Sequence, residues 1–199
     1  MKNIIIFITL FCCIYSQDAT FYMGAGIINA DLKVKNTIDK HLENSFSKIP
    51  YFFIGYDVPI SERSTYVFSM QIGGKYMVFE NRFAGQEDRY NLMILNLVPK
   101  LDLKLSDELF FTLKGHTDLK VTEFFANRDG SSEKRSDVYL EDFNSFQIGV
   151  EAGISYTDDW MNGFRTEVSF AHFFTPFLDN SFYKVEPKPM FQLTIYTPL

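Results

Sequence analysis

Cysteine is almost absent from this 199-residue chain: Cys12 and Cys13 are adjacent and lie in the first apolar stretch. Beyond residue 13 no disulfide can form, so stability must come from core packing or extensive β pairing. Basic residues are outnumbered, with 19 Lys and Arg against 25 Asp and Glu and a formal charge of −6. That balance argues against a nucleic-acid partner, which requires a basic face. Histidine occurs three times and tryptophan once. Beyond residue 20 no apolar run approaches the roughly 18 residues of a membrane-spanning helix.

The N-terminus reads MKNIIIFITLFCCIYSQDA. One lysine, an apolar run from Ile4 to Tyr15 and a small, polar stretch have the layout of a secretory signal peptide. Cleavage is expected after Ser16, with Ala19 as the alternative. Lipidation at either cysteine is disfavoured, because Phe11 and Cys12 stand where a small residue is needed. On this reading 1–16 is the signal and 17–199 a single exported domain without cysteine.

What is abundant is aromatic side chain, 22 Phe and 11 Tyr, and alternation. In TYVFSMQIGGKYMVFE (65–80), Tyr66, Phe68, Met70, Ile72, Tyr76 and Val78 share one parity. Thr65, Ser69, Gln71 and Lys75 share the other. In LFFTLKGHTDLKV (109–121), Leu109, Phe111, Leu113 and Leu119 alternate with Thr112, Lys114, His116, Asp118 and Lys120. A helix would spread these charges around its circumference, whereas a strand puts them on one face. Eight such segments are expected, at about 20–34, 49–60, 65–80, 89–105, 109–121, 143–156, 163–174 and 188–197. Short connections (61–64, 106–108, 157–163) alternate with longer, charged ones (35–48, 81–88, 122–142, 175–187). An up-and-down barrel places consecutive connections on opposite rims, so one rim carries tight turns and the other long loops. The expected fold is all-β, an eight-stranded antiparallel up-and-down transmembrane β-barrel with short periplasmic turns and longer extracellular loops.

Alternation alone does not say which face looks outward. A lipocalin-like soluble barrel would turn its apolar face inward around a small apolar ligand; a membrane barrel turns it to lipid. The polar face here is small or charged, with Gly73, Gly149, Gly153 and Ser69 beside Lys75, Lys100, Asp102, Lys114, His116, Asp118, Glu151, Arg165 and Glu167. Eight strands leave an interior that side chains fill, and such charges can pair within it. Asp31, Asp57, Lys33, Lys104 and Lys120 are assigned to the same inward set. Aromatics crowd the ends of the apolar face. Tyr22, Tyr66, Phe68, Phe111, Tyr156 and Phe164 are expected near the short-turn rim, and Phe52, Tyr76, Phe146, Phe174 and Phe191 near the other. Two aromatic belts around an aliphatic band suit a bilayer.

With its signal segment, its eight alternating strands, QIGVEAGISYTDD (147–159) entering a tight turn and the closing FQLTIYTPL (191–199), the chain resembles the small OmpX/PorT-like outer-membrane β-barrel proteins. Such barrels often end on Phe or Trp; this one ends on Leu199, which keeps the parity of Phe191, Leu193 and Ile195. The resemblance implies an integral, monomeric outer-membrane protein, inserted by the barrel-assembly machinery, in contact with outer-membrane lipid and an unidentified extracellular partner. No cofactor is implied.

An acyltransferase or protease would need Ser, His and acid residues converging near a mouth. His41 falls in the first long connection, His172 has outward parity, and His116 lies on the polar face in mid-strand. His116 and Asp118, two residues apart, are too few ligands for a metal without help from other strands, and Lys114 and Lys120 would repel one. No catalytic, cofactor or metal site is therefore assigned. The expected role is a plugged, non-enzymatic scaffold presenting charged loops for surface interaction or envelope integrity. A soluble ligand carrier is the alternative.

Overall fold

The computed structural model describes residues 19–28, 30–34, 49–83, 86–126, 132–133, 144–158, 164–179 and 183–198. The expected signal segment, its cleavage site, His41 and most of the long connections lie outside these residues. The strands are β1 Thr20–Ile28, β2 Ala30–Val34, β3 Ile49–Glu62, β4 Tyr66–Phe83, β5 Gln86–Lys104 and β6 Leu109–Ala126. They continue as β7 Ser132–Glu133, β8 Phe146–Asp158, β9 Phe164–Phe173, β10 Leu178–Asp179, β11 Tyr183–Pro187 and β12 Met190–Pro198. Among the described residues there is no helix.

Eight of these strands form the wall, in the order β5-β4-β3-β1-β12-β9-β8-β6, and the β5–β6 pairing closes it. Every pairing is antiparallel. Closure leaves no free sheet edge within the wall. The chain enters at Thr20, opposite Pro198, on the rim that also holds the turns at 63–65 and 105–108. Ser106 shapes the second of these, its Oγ accepting from the backbone N–H of Leu109 at 3.1 Å.

Two expectations about the loop rim change. The segment 20–34 is not one strand of the wall: after Ile28 the chain passes into β2, which pairs with β11 in a separate three-stranded sheet, β10-β11-β2. Nor is 81–88 a long loop, because β4 and β5 stay paired out to Phe83↔Gln86. Charges such as Arg82, Glu87 and Asp88 read as loop in sequence. They sit on an antiparallel ladder whose backbone hydrogen bonds do not depend on side-chain polarity. β4, β5 and β6 therefore run 18, 19 and 18 residues, against nine for β1 and β12, and rise past the loop rim as a projecting sheet.

Glycine decides how β1 faces. Tyr22 was expected at the outer surface, yet it is buried at 1 % exposure and points inward. Its even-numbered neighbours Gly24 and Gly26 share that inward face, while Met23 and Ile27 are exposed. The glycines make room for rings from β3: a Cβ on Gly24 would fall inside the Phe53 ring, and one on Gly26 inside Tyr51. Tyr22 then packs between Phe53 and Tyr196, at 6.1 and 6.0 Å between ring centroids. Turning β1 over would expose these gaps and bury the apolar odd-numbered side chains against charge. Gly55 faces Gly73 across the β3–β4 ladder, and a Cβ on Gly55 would lie 2.6 Å from the Gly73 Cα. Gly55→Val is accordingly expected to abolish refolding, seen as loss of the compact, heat-modifiable band on a gel; unchanged migration would refute this packing.

Candidate functional site

Odd and even positions separate cleanly along β8, whose side chains alternate exposed and buried from Phe146 to Tyr156. The same alternation around the wall gathers the polar parity of all eight strands into one interior. Lys75, Lys100, Asp102, Lys114, His116, Asp118, Glu151 and Glu167 are buried there. Arg165 is partly buried at the short-turn end. Five carboxylates (Asp57, Asp102, Asp118, Glu151, Glu167) meet four cations (Lys75, Lys100, Lys114, Arg165) in ion pairs among the described residues.

Three clusters follow the barrel axis. Nearest the short turns, the Arg165 guanidinium grips both oxygens of Asp102 at 2.7 Å each, while its Nε donates to Ser155 Oγ at 2.7 Å. Thr112 Oγ1 donates to the same Asp102 at 2.7 Å. In the middle, Lys100 Nζ reaches Asp57 at 2.5 Å and Asp102 at 3.0 Å. Lys114 Nζ meets Glu151 at 2.7 Å and also Glu167. Glu151 is the hub: it accepts from Ser169 Oγ at 2.6 Å and Gln192 Nε2 at 2.7 Å, and meets His116 Nε2 at 2.6 Å. Toward the loop end, Lys75 Nζ pairs with Asp118 Oδ2 at 2.6 Å and lies 5.0 Å from the Phe173 ring centroid.

The register by itself sets cation against cation. Lys100 and Lys114 are direct cross-strand partners, an arrangement that repels. Each is turned to its own pair of carboxylates, which converts the repulsion into a four-acid, two-lysine lattice. Buried charge is tolerable only when paired in this way.

Above the charges the interior becomes apolar. Tyr51, Met77 and Leu92 form one cross-strand row, and with Ile94, Phe173, Phe177 and Met190 they are all buried. Phe177 comes from the segment after β9, held down where Asn144 Nδ2 donates to the Pro176 carbonyl at 2.6 Å and Asn144 N–H to that of Phe177 at 2.8 Å. Side chains therefore fill both the polar and the apolar part of the barrel.

The outer surface is the complement. Phe52, Tyr76, Phe146, Tyr156, Phe164, Phe174 and Phe191 are exposed, and Tyr66, Phe68 and Phe111 are half-exposed on the same side. Tyr22 alone among the expected belt residues points inward. Met23, Ile54, Met93, Leu113, Val150, Ile154, Val168, Leu193 and Ile195 fill the band between, all exposed. His172 also faces outward, its ring edge-on to Phe174.

Lys104 keeps inward parity but lies past the end of the interior: it is 38 % exposed and pairs with Asp107 at 2.8 Å on the turn. Its hydrogen bond holds the Asp107 carboxyl below the usual carboxylate range. Asp31 and Lys33 belong to β2, outside the wall. Missing from the sequence-derived set was Tyr196. Its hydroxyl donates to Glu167 at 2.9 Å and accepts from Gln71 at 2.9 Å, and its ring lies 4.3 Å from Lys100 Nζ. Parity gives it away, since it alternates with Leu193 and Ile195 and shares the face of Gln192 and Thr194.

Fold and interior together define a closed eight-stranded antiparallel barrel with an apolar exterior and an ion-paired, filled interior. Comparisons with protein-family models and with curated proteins find no match. Among solved structures, two of Ail, the attachment invasion locus protein of Yersinia pestis, are similar. The one in complex with the heparin analogue sucrose octasulfate is 13% identical, covering 92% of this chain and 100% of that chain, with a TM-score of 0.43. The other is 11% identical with the same coverages, 92% and 100%, and a TM-score of 0.40.

Proposed function

We propose that this chain is an integral outer-membrane β-barrel protein, non-enzymatic, whose filled barrel is a scaffold for the strands and loops at its loop rim. One observation carries the reading: the exposed face of the wall is apolar and the buried face is charged. A water-soluble barrel has the opposite polarity, and a monomer in water rarely exposes apolar patches beyond a few hundred Å². In a bilayer the same surface needs no cover, and closure leaves the wall no free edge of unpaired backbone groups. The soluble carrier alternative calls for an apolar interior with room for a ligand, whereas here ion pairs and rings occupy it.

The non-enzymatic reading rests on what His116 touches, which is Glu151 at 2.6 Å and Asp118 at 4.0 Å, and on the outward position of His172. The projecting β4–β5–β6 sheet and the β10–β11–β2 sheet stand on the rim assigned to the outside, where surface interaction or support of the envelope would take place. Export by the signal segment, insertion by the barrel-assembly machinery, contact with outer-membrane lipid and a monomeric state complete the proposal.

Cell fractionation combined with gel migration tests it. The protein is expected in the outer-membrane fraction, migrating faster unheated than heated; recovery as a soluble protein without detergent would overturn the assignment. In planar bilayers the filled interior is expected to give no steady conductance. A large steady current would refute the plugged interior while leaving the membrane location standing.

A further inference from the structure

Among the described residues nine buried side-chain atoms lack a hydrogen-bond partner, and four of them are neighbours: Asn96 Oδ1, His116 Nδ1, Asp118 Oδ1 and Gln147 Oε1. They are not scattered. Asn96, Asp118 and Gln147 are consecutive cross-strand partners on β5, β6 and β8, and His116 Nδ1 stands 4.0 Å from Asp118 Oδ1. All four residues are at most 4 % exposed. A small cavity of about 10 Å³, lined by Leu92, Ile94, Asp118, Lys120, Asn144 and Gln147, touches two of the four, Asp118 and Gln147. By this measure a cavity needs roughly 10–15 Å³ to admit one water molecule, so the space is just enough.

We propose that this row is a built water site, in which an ordered water donates to Asp118 Oδ1 and to His116 Nδ1 or a neighbouring amide oxygen. The tautomer follows from the other side of the ring. Glu151, held by Lys114, offers His116 Nε2 only acceptor lone pairs at 2.6 Å, so Nε2 carries the proton, and in the neutral ring Nδ1 is an acceptor. Nδ1 and Asp118 Oδ1 are then two acceptors facing each other across a gap too long for a direct hydrogen bond. A water at ordinary distance from both can give each a proton.

Two rival occupants fit less well. A metal cation would sit beside a carboxylate whose other oxygen already holds Lys75 Nζ at 2.6 Å, with Lys120 also on the cavity wall. A doubly protonated His116 would still face Asp118 Oδ1 across 4.0 Å, too far for a direct hydrogen bond. Bridging Asp118 Oδ1 and His116 Nδ1, the water links the Lys75–Asp118 pair to the Glu151 hub, joining the upper cluster to the middle one. The inference uses the interior alone and stands whether or not the barrel is in a membrane.

The experiment is nitrogen NMR on the folded full chain labelled with ¹⁵N-histidine, in detergent micelles, or in buffer should the chain prove soluble. Loss of one signal set in His116→Gln assigns the ring. Expected is one protonated nitrogen and one bare nitrogen, with magnetisation transfer from a slowly exchanging water to the ring protons. Two protonated nitrogens, or no such transfer, would overturn the proposal. Gln147→Met gives an independent readout through the urea midpoint of unfolding. Removing an acceptor that serves a bound water lowers the midpoint. Removing one buried dry raises it, and a rise would sink the site.

Discussion

Replacing Lys114 by Met is expected to lower the unfolding free energy by about 3–5 kcal/mol, the range for breaking a buried ion pair by removing one partner. The lysine is 3 % exposed in its side chain and holds two carboxylates that are themselves out of solvent. Methionine nearly preserves the volume, so the loss measures uncompensated charge rather than a cavity. Glu151 retains His116, Ser169 and Gln192, whereas Glu167, among the described residues, falls back on the Tyr196 hydroxyl. Adding Glu167→Gln to Lys114→Met is therefore expected to recover part of the loss, and a double-mutant cycle separates the pair from its surroundings. The check is urea unfolding of protein refolded in lipid or detergent. Lys104→Met serves as the control: its partner lies on an exposed turn, where such pairs contribute little, and no measurable change is expected. Equal effects at Lys114 and Lys104 would refute the buried lattice.

The second large effect is expected on the opposite face. Val168 is 41 % exposed in the middle of β9 and registers with Ile154 and Leu193 on either side. If the wall faces lipid, Val168→Arg places a guanidinium in hydrocarbon and costs about 2–4 kcal/mol near the midplane. Placed in water, the same arginine would be close to neutral, because exposed substitutions rarely exceed about 0.5 kcal/mol. The measurement is folding efficiency and urea midpoint in phosphatidylcholine vesicles, with Phe164→Arg near the short-turn rim as a depth control. A smaller loss at Phe164 than at Val168 is expected, since the cost falls toward the interface. No loss at either position would contradict the lipid-facing surface.

The two experiments probe opposite faces of one wall, and the sequence already separated those faces. A side-chain period of two carries Lys114, His116, Asp118, Glu151 and Glu167 to one side and Leu113, Val150, Ile154 and Val168 to the other, whatever the neighbours of each strand. Cysteine confined to residues 12 and 13 left core packing or extensive β pairing as the source of stability. Turn chemistry located the tight rim, because SERS and SDE are polar, short and flanked by alternating runs.

Other features were decided only in three dimensions. The alternation of β1 is ambiguous, because glycine has no polarity to report; Tyr22 went inward once Phe53 and Tyr51 needed the space over Gly24 and Gly26. The rise of β4, β5 and β6 beyond the loop rim was hidden by charged side chains, which say nothing about backbone pairing. Partner choice was hidden too. Sequence supplies acids and bases of one parity, but barrel closure and register set which of them meet. That is how Lys114 comes to Glu151 and Glu167, 37 and 53 residues away, and how Tyr196 joins Lys100, Gln71 and Glu167 at the centre. Alternation along each strand is local and survives in the sequence; distances across a closed wall depend on all eight strands at once.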